Sequence, residues 1–264
     1  MLIFAPKNMK LKMTKILVIL SLLLVWLPTT KIEAKEKPIL GVTTVYENRA
    51  TIVDLAVYLK SDEKIAGGSF DVIYDSTQLT VNDSSVVVGE ALSGFILNST
   101  NGGTAGKVSA AFANDTGLTI NGNVLTFKGR ISKKDSTIDL QFENVQFYGE
   151  DGKKIAVTIV DGAIKPFDGK ESTNQDKADN AKPWTITMST AYNRASLNEH
   201  TVSVKDRYNR PVEIVIVNVS NTEFKVKPKG TYARGTYTLE ITDQLLSVTG
   251  EKLEEPVRYI FTVE

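Results

Sequence analysis

AGGSFDVIYDSTQLTV, residues 66–81, is the stretch that decides how this chain folds. Phe70, Val72 and Tyr74 alternate with Ser69, Asp71 and Ile73, the period of two that a strand with one buried face requires. Asp75-Ser76-Thr77 then interrupts the pattern. An Asp at that position bonds the backbone two residues on and sets a turn, after which Leu79 and Val81 resume the alternation. The stretch therefore predicts a strand, a tight turn and a second strand.

The same pattern extends outward over residues 38–165. Val53, Leu55, Val57 and Leu59 share one face of a strand whose other face carries Asp54, Tyr58 and Lys60. Val108, Ala110 and Phe112 repeat the arrangement, as do Leu125, Phe127 and Ile131, and then Ile155, Val157 and Ile159. No stretch keeps a period of 3.6 for three turns, so helix is incidental. Between Phe142 and Val145 the apolar positions change parity, which one inserted residue produces, so a β-bulge is expected near Glu143 and Asn144. About nine short strands without long helices suit a two-sheet sandwich. Residues 166–182, PFDGKESTNQDKADNAK, hold one aromatic and no branched aliphatic residue, too little apolar surface to offset the entropy of ordering, and read as a flexible linker. Residues 183–264 resume the alternation from Trp184, Ile186 and Met188 to Tyr259, Phe261 and Val263, which predicts a second, seven-stranded, immunoglobulin-like sandwich. The fold class is all-β.

Residues 1–34 carry the marks of a signal peptide. Lys7, Lys10, Lys12 and Lys15 precede an apolar run at 16–27, and Ala34 is the expected cleavage point. That run is shorter than the roughly 20 residues of a membrane-spanning helix, so export without a membrane span is expected. Cleavage removes five lysines against one acid, Glu33, and leaves a weakly acidic chain with no basic run, which argues against nucleic acid as a partner. The chain has no cysteine, which excludes disulfides, thiol catalysis and a lipidated cysteine anchor, and fits a bacterial envelope or medium.

Several pieces resemble cohesin modules, the jelly-roll domains that bind dockerins in cellulose-degrading assemblies. They are Phe70-x-x-x-Tyr74-Asp75-x-x-x-Leu79, Gly106-Lys-Val108-x-x-x-Phe112, Gly122-x-x-Leu125-x-Phe127, and Tyr148-Gly-Glu-Asp151-Gly152 followed by Val160-x-Gly162-x-Ile164. The resemblance covers about half the chain and implies a nine-stranded jelly roll. It also implies a partner-binding face on the outward residues of the third strand, where the family places an Asn and an Asp before the Phe. Gly67 and Ser69 stand there instead, and neither supplies those amide or carboxylate hydrogen bonds. Asp71 is the acceptor further along that face. Residues 183–264 resemble the bacterial Ig-like domains of surface-layer proteins through Trp184-x-Ile186, Val202-x-Val204-x-Asp206, Gly235-x-Tyr237-x-Leu239-x-Ile241 and Gly250-x-x-Leu253, which implies a spacer or display role.

Chemistry finds little footing. His200, the single histidine, reads as a surface loop residue beside Glu199. Glu150 and Asp151 are neighbours in a turn and not a carboxylate pair across a cleft. No nucleophile elbow, metalloprotease motif or phosphate loop is present. Asp75, Asp83, Asp115 and Asp151 do not form a calcium-hand loop, so structural calcium is left open and no cofactor is predicted. Carbohydrate binding needs aromatic faces turned to solvent, and Tyr46, Tyr58 and Tyr148 are the candidates. The expected protein is a secreted, non-catalytic binding or scaffolding module at the bacterial surface, or in an extracellular polysaccharide-degrading complex. Its expected partner is a dockerin-like protein; the alternatives are direct polysaccharide binding and a purely structural envelope module.

Overall fold

The computed structural model describes residues 37–47, 49–100, 105–132 and 135–264. The expected leader at 1–34 lies outside them. The strands, in chain order, are β1 (Ile39–Val42), β2 (Val45–Tyr46), β3 (Ile52–Ile73), β4 (Leu79–Val81), β5 (Val87–Val88), β6 (Ile96–Thr100), β7 (Lys107–Ile131), β8 (Ile138–Tyr148), β9 (Thr158–Val160) and β10 (Gly162–Lys165) in the first half. The second half holds β11 (Lys170–Ala178), β12 (Trp184–Thr187), β13 (Val202–Asp206), β14 (Ile214–Asn218), β15 (Glu223–Pro228), β16 (Gly235–Ile241) and β17 (Val257–Val263). Three single 3-10 turns are the only helical pieces among the described residues.

Strands β1 to β10 form one hydrogen-bonded network, organised by β3 and β7, which pair along most of their length. Both are too long to stay in one plane. The register of their pairing shifts between Val57 and Tyr58 and again between Ser61 and Gly67, and at these irregularities the pair bends from one layer into the other. The first half of β3 lies with β1, β9 and the second half of β7, which β4 and β5 extend. The second half of β3 lies with β8, β10, β2, the first half of β7 and β6. One apolar core fills the space between the layers, including Leu55, Val57, Phe70, Val72, Phe112, Phe127 and Phe147. Phe70, Phe127 and Phe147 are fully buried, each stabilising by about 1.5–3 kcal/mol. The expectation of nine strands meets ten, because two-residue strands such as β2 and β5 leave no periodic mark.

Two local expectations appear as read. Thr77 N–H donates to Asp75 Oδ1 at 2.8 Å, which makes the turn between β3 and β4. In the β3–β8 pairing Ser69 faces Gln146 but Asp71 faces Glu143, one residue more on β8, and Asn144 takes φ +52° to absorb it. In β9 Ile159 keeps the phase its alternation suggested, opposite Leu40 of β1, but stays exposed at the sheet edge, whereas Val160 points the other way and is buried in the cluster it shares with Ala195 and Leu246.

The second sandwich packs a four-stranded sheet, β11-β17-β16-β13, against a three-stranded one, β12-β15-β14. Its core includes Val202, Val204, Phe224, Leu239 and Phe261, with Trp184 packed against Phe261 at 4.7 Å. The linker expected at 166–182 is corrected here. Residues 170–178 are β11, an edge strand running parallel to β17, with Lys170 opposite Val257 and Thr173 opposite Ile260. An edge strand held by backbone bonds to one neighbour needs few apolar side chains. Among the described side chains of β11 Ala178 is the buried one, and polar composition therefore hid the strand.

Candidate functional site

The two outer faces of the first sandwich have different fates. The outer face of β8, β3, β7 and β6 is open. Gly67 of β3 faces Tyr148 of β8 on one side and Ala113 of β7 on the other, and Ala113 faces Ile96 of β6. One step along, Ser69 lies between Gln146 and Ala111. The floor is therefore built of Gly, Ser and Ala. Ile96, 82% exposed, and Tyr148, 38% exposed, stand at its two sides, and the Tyr148 hydroxyl donates to Gln146 Oε1 at 2.8 Å.

Gly67 and Ser69 are half-buried on this face. Asp71, the acceptor expected beside them, is corrected: it is 9% exposed and serves the fold. Ser109 Oγ donates to its Oδ1 at 2.5 Å, Asn144 Nδ2 to its Oδ2 at 2.7 Å, and Lys107 Nζ lies 3.6 Å away. Burial alone would raise its pKa, but the bonds from Ser109 and Asn144 and the Lys107 charge outweigh it and hold the carboxyl below the ordinary range. The bulge that presents Asn144 thus ties off the end of the face.

The outer face of β1, β9 and the first half of β3 is covered by the second sandwich. Tyr58, read as outward and glycan-facing, does point out of the first core, yet it is 2% exposed because the other sandwich lies on it. Its ring passes over Gly41, where a Cβ would lie 2.2 Å from Tyr58 Cζ, and stacks on His200 at 4.9 Å. Ile39, Tyr58 and Val160 meet Ala195 and Leu246 in a separate apolar cluster. Tyr46 is corrected likewise: it packs edge-on against Phe167 at 5.4 Å, and its hydroxyl donates to Asp243 Oδ1 at 3.3 Å. Burial raises the pKa of both phenols well above the ordinary value. Tyr148 alone of the three is exposed, so the tyrosines form no strip.

Gln244, fully buried, joins the sandwiches through three hydrogen bonds. Its Nε2 donates to Val42 O at 2.6 Å and Asp161 O at 3.1 Å, and its Oε1 accepts from Thr44 N–H at 2.9 Å. Beside it Lys165 Nζ pairs with Asp243 at 2.9 Å, and Lys60 Nζ donates to Arg194 O at 3.2 Å. His200 is corrected from a surface residue to a seam residue, with Nε2 2.6 Å from Asn123 Oδ1.

Sequence reasoning missed Ala111, Ala113 and Ile96 on the open face and Gln244, Asp243 and Asn123 in the seam. The two alanines carried a usable signal, since they fall on the outward phase opposite Val108, Ala110 and Phe112. Gln244 carried none. Among the described residues no three of His, Asp and Glu are grouped to hold a metal ion, and no helix is long and apolar enough to cross a membrane. Asp75 and Asp151 are engaged by their own turns, and Glu150 pairs with Lys64.

The architecture is that of a two-sandwich all-β protein whose first sandwich has a bare sheet face. Residues 165–263 match the family model of the bacterial Ig-like domain, which begins at the segment read as a linker. Solved structures similar to the chain include a non-cellulosomal cohesin from the archaeon Archaeoglobus fulgidus, at 16% identity and TM-score 0.44 over 50% of this chain and 91% of that one. Another is the sixth cohesin of scaffoldin B from Acetivibrio cellulolyticus, solved with a dockerin, at 21% identity and TM-score 0.43 over 50% and 99%. A third is a cohesin from Clostridium acetobutylicum, at 22% and 0.41 over 50% and 92%. A comparison with curated proteins gave no match.

Proposed function

We propose that the chain is an exported, non-catalytic docking module whose bare β8-β3-β7-β6 face receives a protein partner. The observation that carries this reading is the shape of that face: a Gly67, Ser69, Ala111 and Ala113 floor with Ile96 and Tyr148 raised at its sides. Four strands about 4.8 Å apart give a floor about 14 Å wide, which accommodates one α-helix of about 10–12 Å diameter. The cohesin-like motifs favour a dockerin-type partner. With Gly67 and Ser69 where that family carries an Asn and an Asp, the grip comes from packing against Ile96 and Tyr148 more than from hydrogen bonds. The leader pattern at 1–34 and the absence of cysteine support a site of action outside the bacterial cell, at its surface or in a secreted complex.

The experiment is capture of dockerin-bearing proteins from a cellulose-degrading culture, with Ala113→Arg as the control that fills the floor. Capture by the parent and not by the variant supports the reading. Equal capture by both, or none by the parent at micromolar concentration, sinks it.

A further inference from the structure

The seam between the sandwiches holds a histidine that the docking face does not use. His200 follows the Arg194–Ser196 turn, and the side chain of Asn198 fixes its backbone N–H at 2.8 Å. Its ring stacks on Tyr58, 4.9 Å between centroids and 17° between planes, and its side chain is 14% exposed. Nε2 lies 2.6 Å from Asn123 Oδ1, so the neutral ring carries its proton on Nε2 and donates there. A second proton would fall on Nδ1.

We propose that the seam is an acid-sensitive latch with His200 as its pin, so that protonation of the imidazole loosens the hold of the second sandwich on the first. His200 lines three clefts, and most of the charged groups around them are already paired with one another; in one cleft these are Glu213 and Lys229, 3.1 Å apart. From β3 come Asp54 and Lys60, with Asp62 beyond; from β7 comes Lys128; from β13 and β16 come Lys205 and Glu240; Glu199 comes from its own loop. Asp54 is occupied by Lys128 at 2.7 Å, and Glu240 by Lys205 at 2.9 Å. Glu199, 3.8 Å from Nε2, is 70% exposed and screened, so it offsets little of the cost.

Burial lowers the His200 pKa below its ordinary value, and Glu199 opposes this more weakly. The closed seam therefore favours the neutral ring, and an opened seam returns the histidine to about 6.5. Closure is complete in strength above that pH and weakens as pH falls below it, by up to about 30-fold at pH 5.

Because the chain has no cysteine, single thiols can report on opening. Ala195→Cys places one in the seam cluster, and Ala110→Cys places one in the core of the first sandwich. Labelling by a pyridyl disulfide, normalised at each pH to the unfolded chain, reads the opening equilibrium at each site. From pH 7.5 to pH 5 the seam thiol is expected to gain more than about 3-fold and up to about 30-fold in reactivity while the core thiol changes under about 3-fold. Adding His200→Gln or His200→Phe, the latter keeping the ring contact with Tyr58, is expected to flatten the response. A flat response in Ala195→Cys alone, an equal rise in the core, or an undiminished rise in both His200 variants overturns the latch. Each outcome is independent of what the docking face binds.

Discussion

The two outer faces of the first sandwich share strands β3 and β7, yet one is sealed and the other is bare. On the sealed side Tyr58 lies out of phase with Val57 and Leu59, projects from the core, and is buried again by residues more than a hundred positions away. On the bare side Tyr148 lies out of phase with Phe147, projects in the same way, and meets solvent. Local pattern places a side chain inside or outside its own sandwich. Whether outside means solvent or a second sandwich depends on residues such as Ala195, His200, Gln244 and Leu246.

The seam should respond most strongly to mutation. Gln244→Ala takes the buried amide from Val42 O and Thr44 N–H, leaves Asp161 O with Lys252 Nζ alone, and is expected to destabilise the chain by about 2–3 kcal/mol in urea unfolding. Survival of full stability would mean that the amide does not join the sandwiches.

Glycine substitutions sharpen the contrast next. A Cβ on Gly41 would lie 2.2 Å from the Tyr58 ring, which the second sandwich prevents from moving, so Gly41→Ala should cost about 2–3 kcal/mol. The matching change on the bare side, Gly67→Ala, has its tightest contact with Phe112 O at 3.1 Å and should cost under about 1 kcal/mol. Equal costs in thermal unfolding would erase the distinction between the faces.

Asp71 supplies an intermediate effect with a pH signature. Its folded carboxyl lies below the ordinary range, so its contribution is present above the unfolded value of about 3.9 and is lost as pH falls through the lower folded value. Asp71→Ala should cost about 1–2 kcal/mol at pH 7 and lose that difference in strong acid, measured by urea titrations across pH. The smallest effect is expected of Ile96→Asp: stability within about 0.5 kcal/mol of the parent, with partner capture lost. A large loss of stability would mean that Ile96 supports the fold and not a partner.

What the sequence revealed and what it hid follow the same division. The bulge at Asn144, the Asp75 turn and the inward faces of β3 and β7 were legible because each is written in a few adjacent residues. The open face was half legible, through Gly67, Ser69 and the alternation that carries Ala111 and Ala113. Strand β11 was hidden because backbone bonds to β17 hold it and side chains contribute little. Tyr46, Tyr58 and His200 were misread because burial between sandwiches is set by chain segments far apart, and nothing near a tyrosine announces a cover on its outer side.

Hydroxyl-radical footprinting of the native protein tests the division between sealed and bare faces in one experiment. Tyr148 should be modified readily while Tyr58 stays protected until the chain unfolds. Modification of Tyr58 at a rate close to that of Tyr148 in the folded protein would contradict the sealed seam and return the second sandwich to a tethered, independent body.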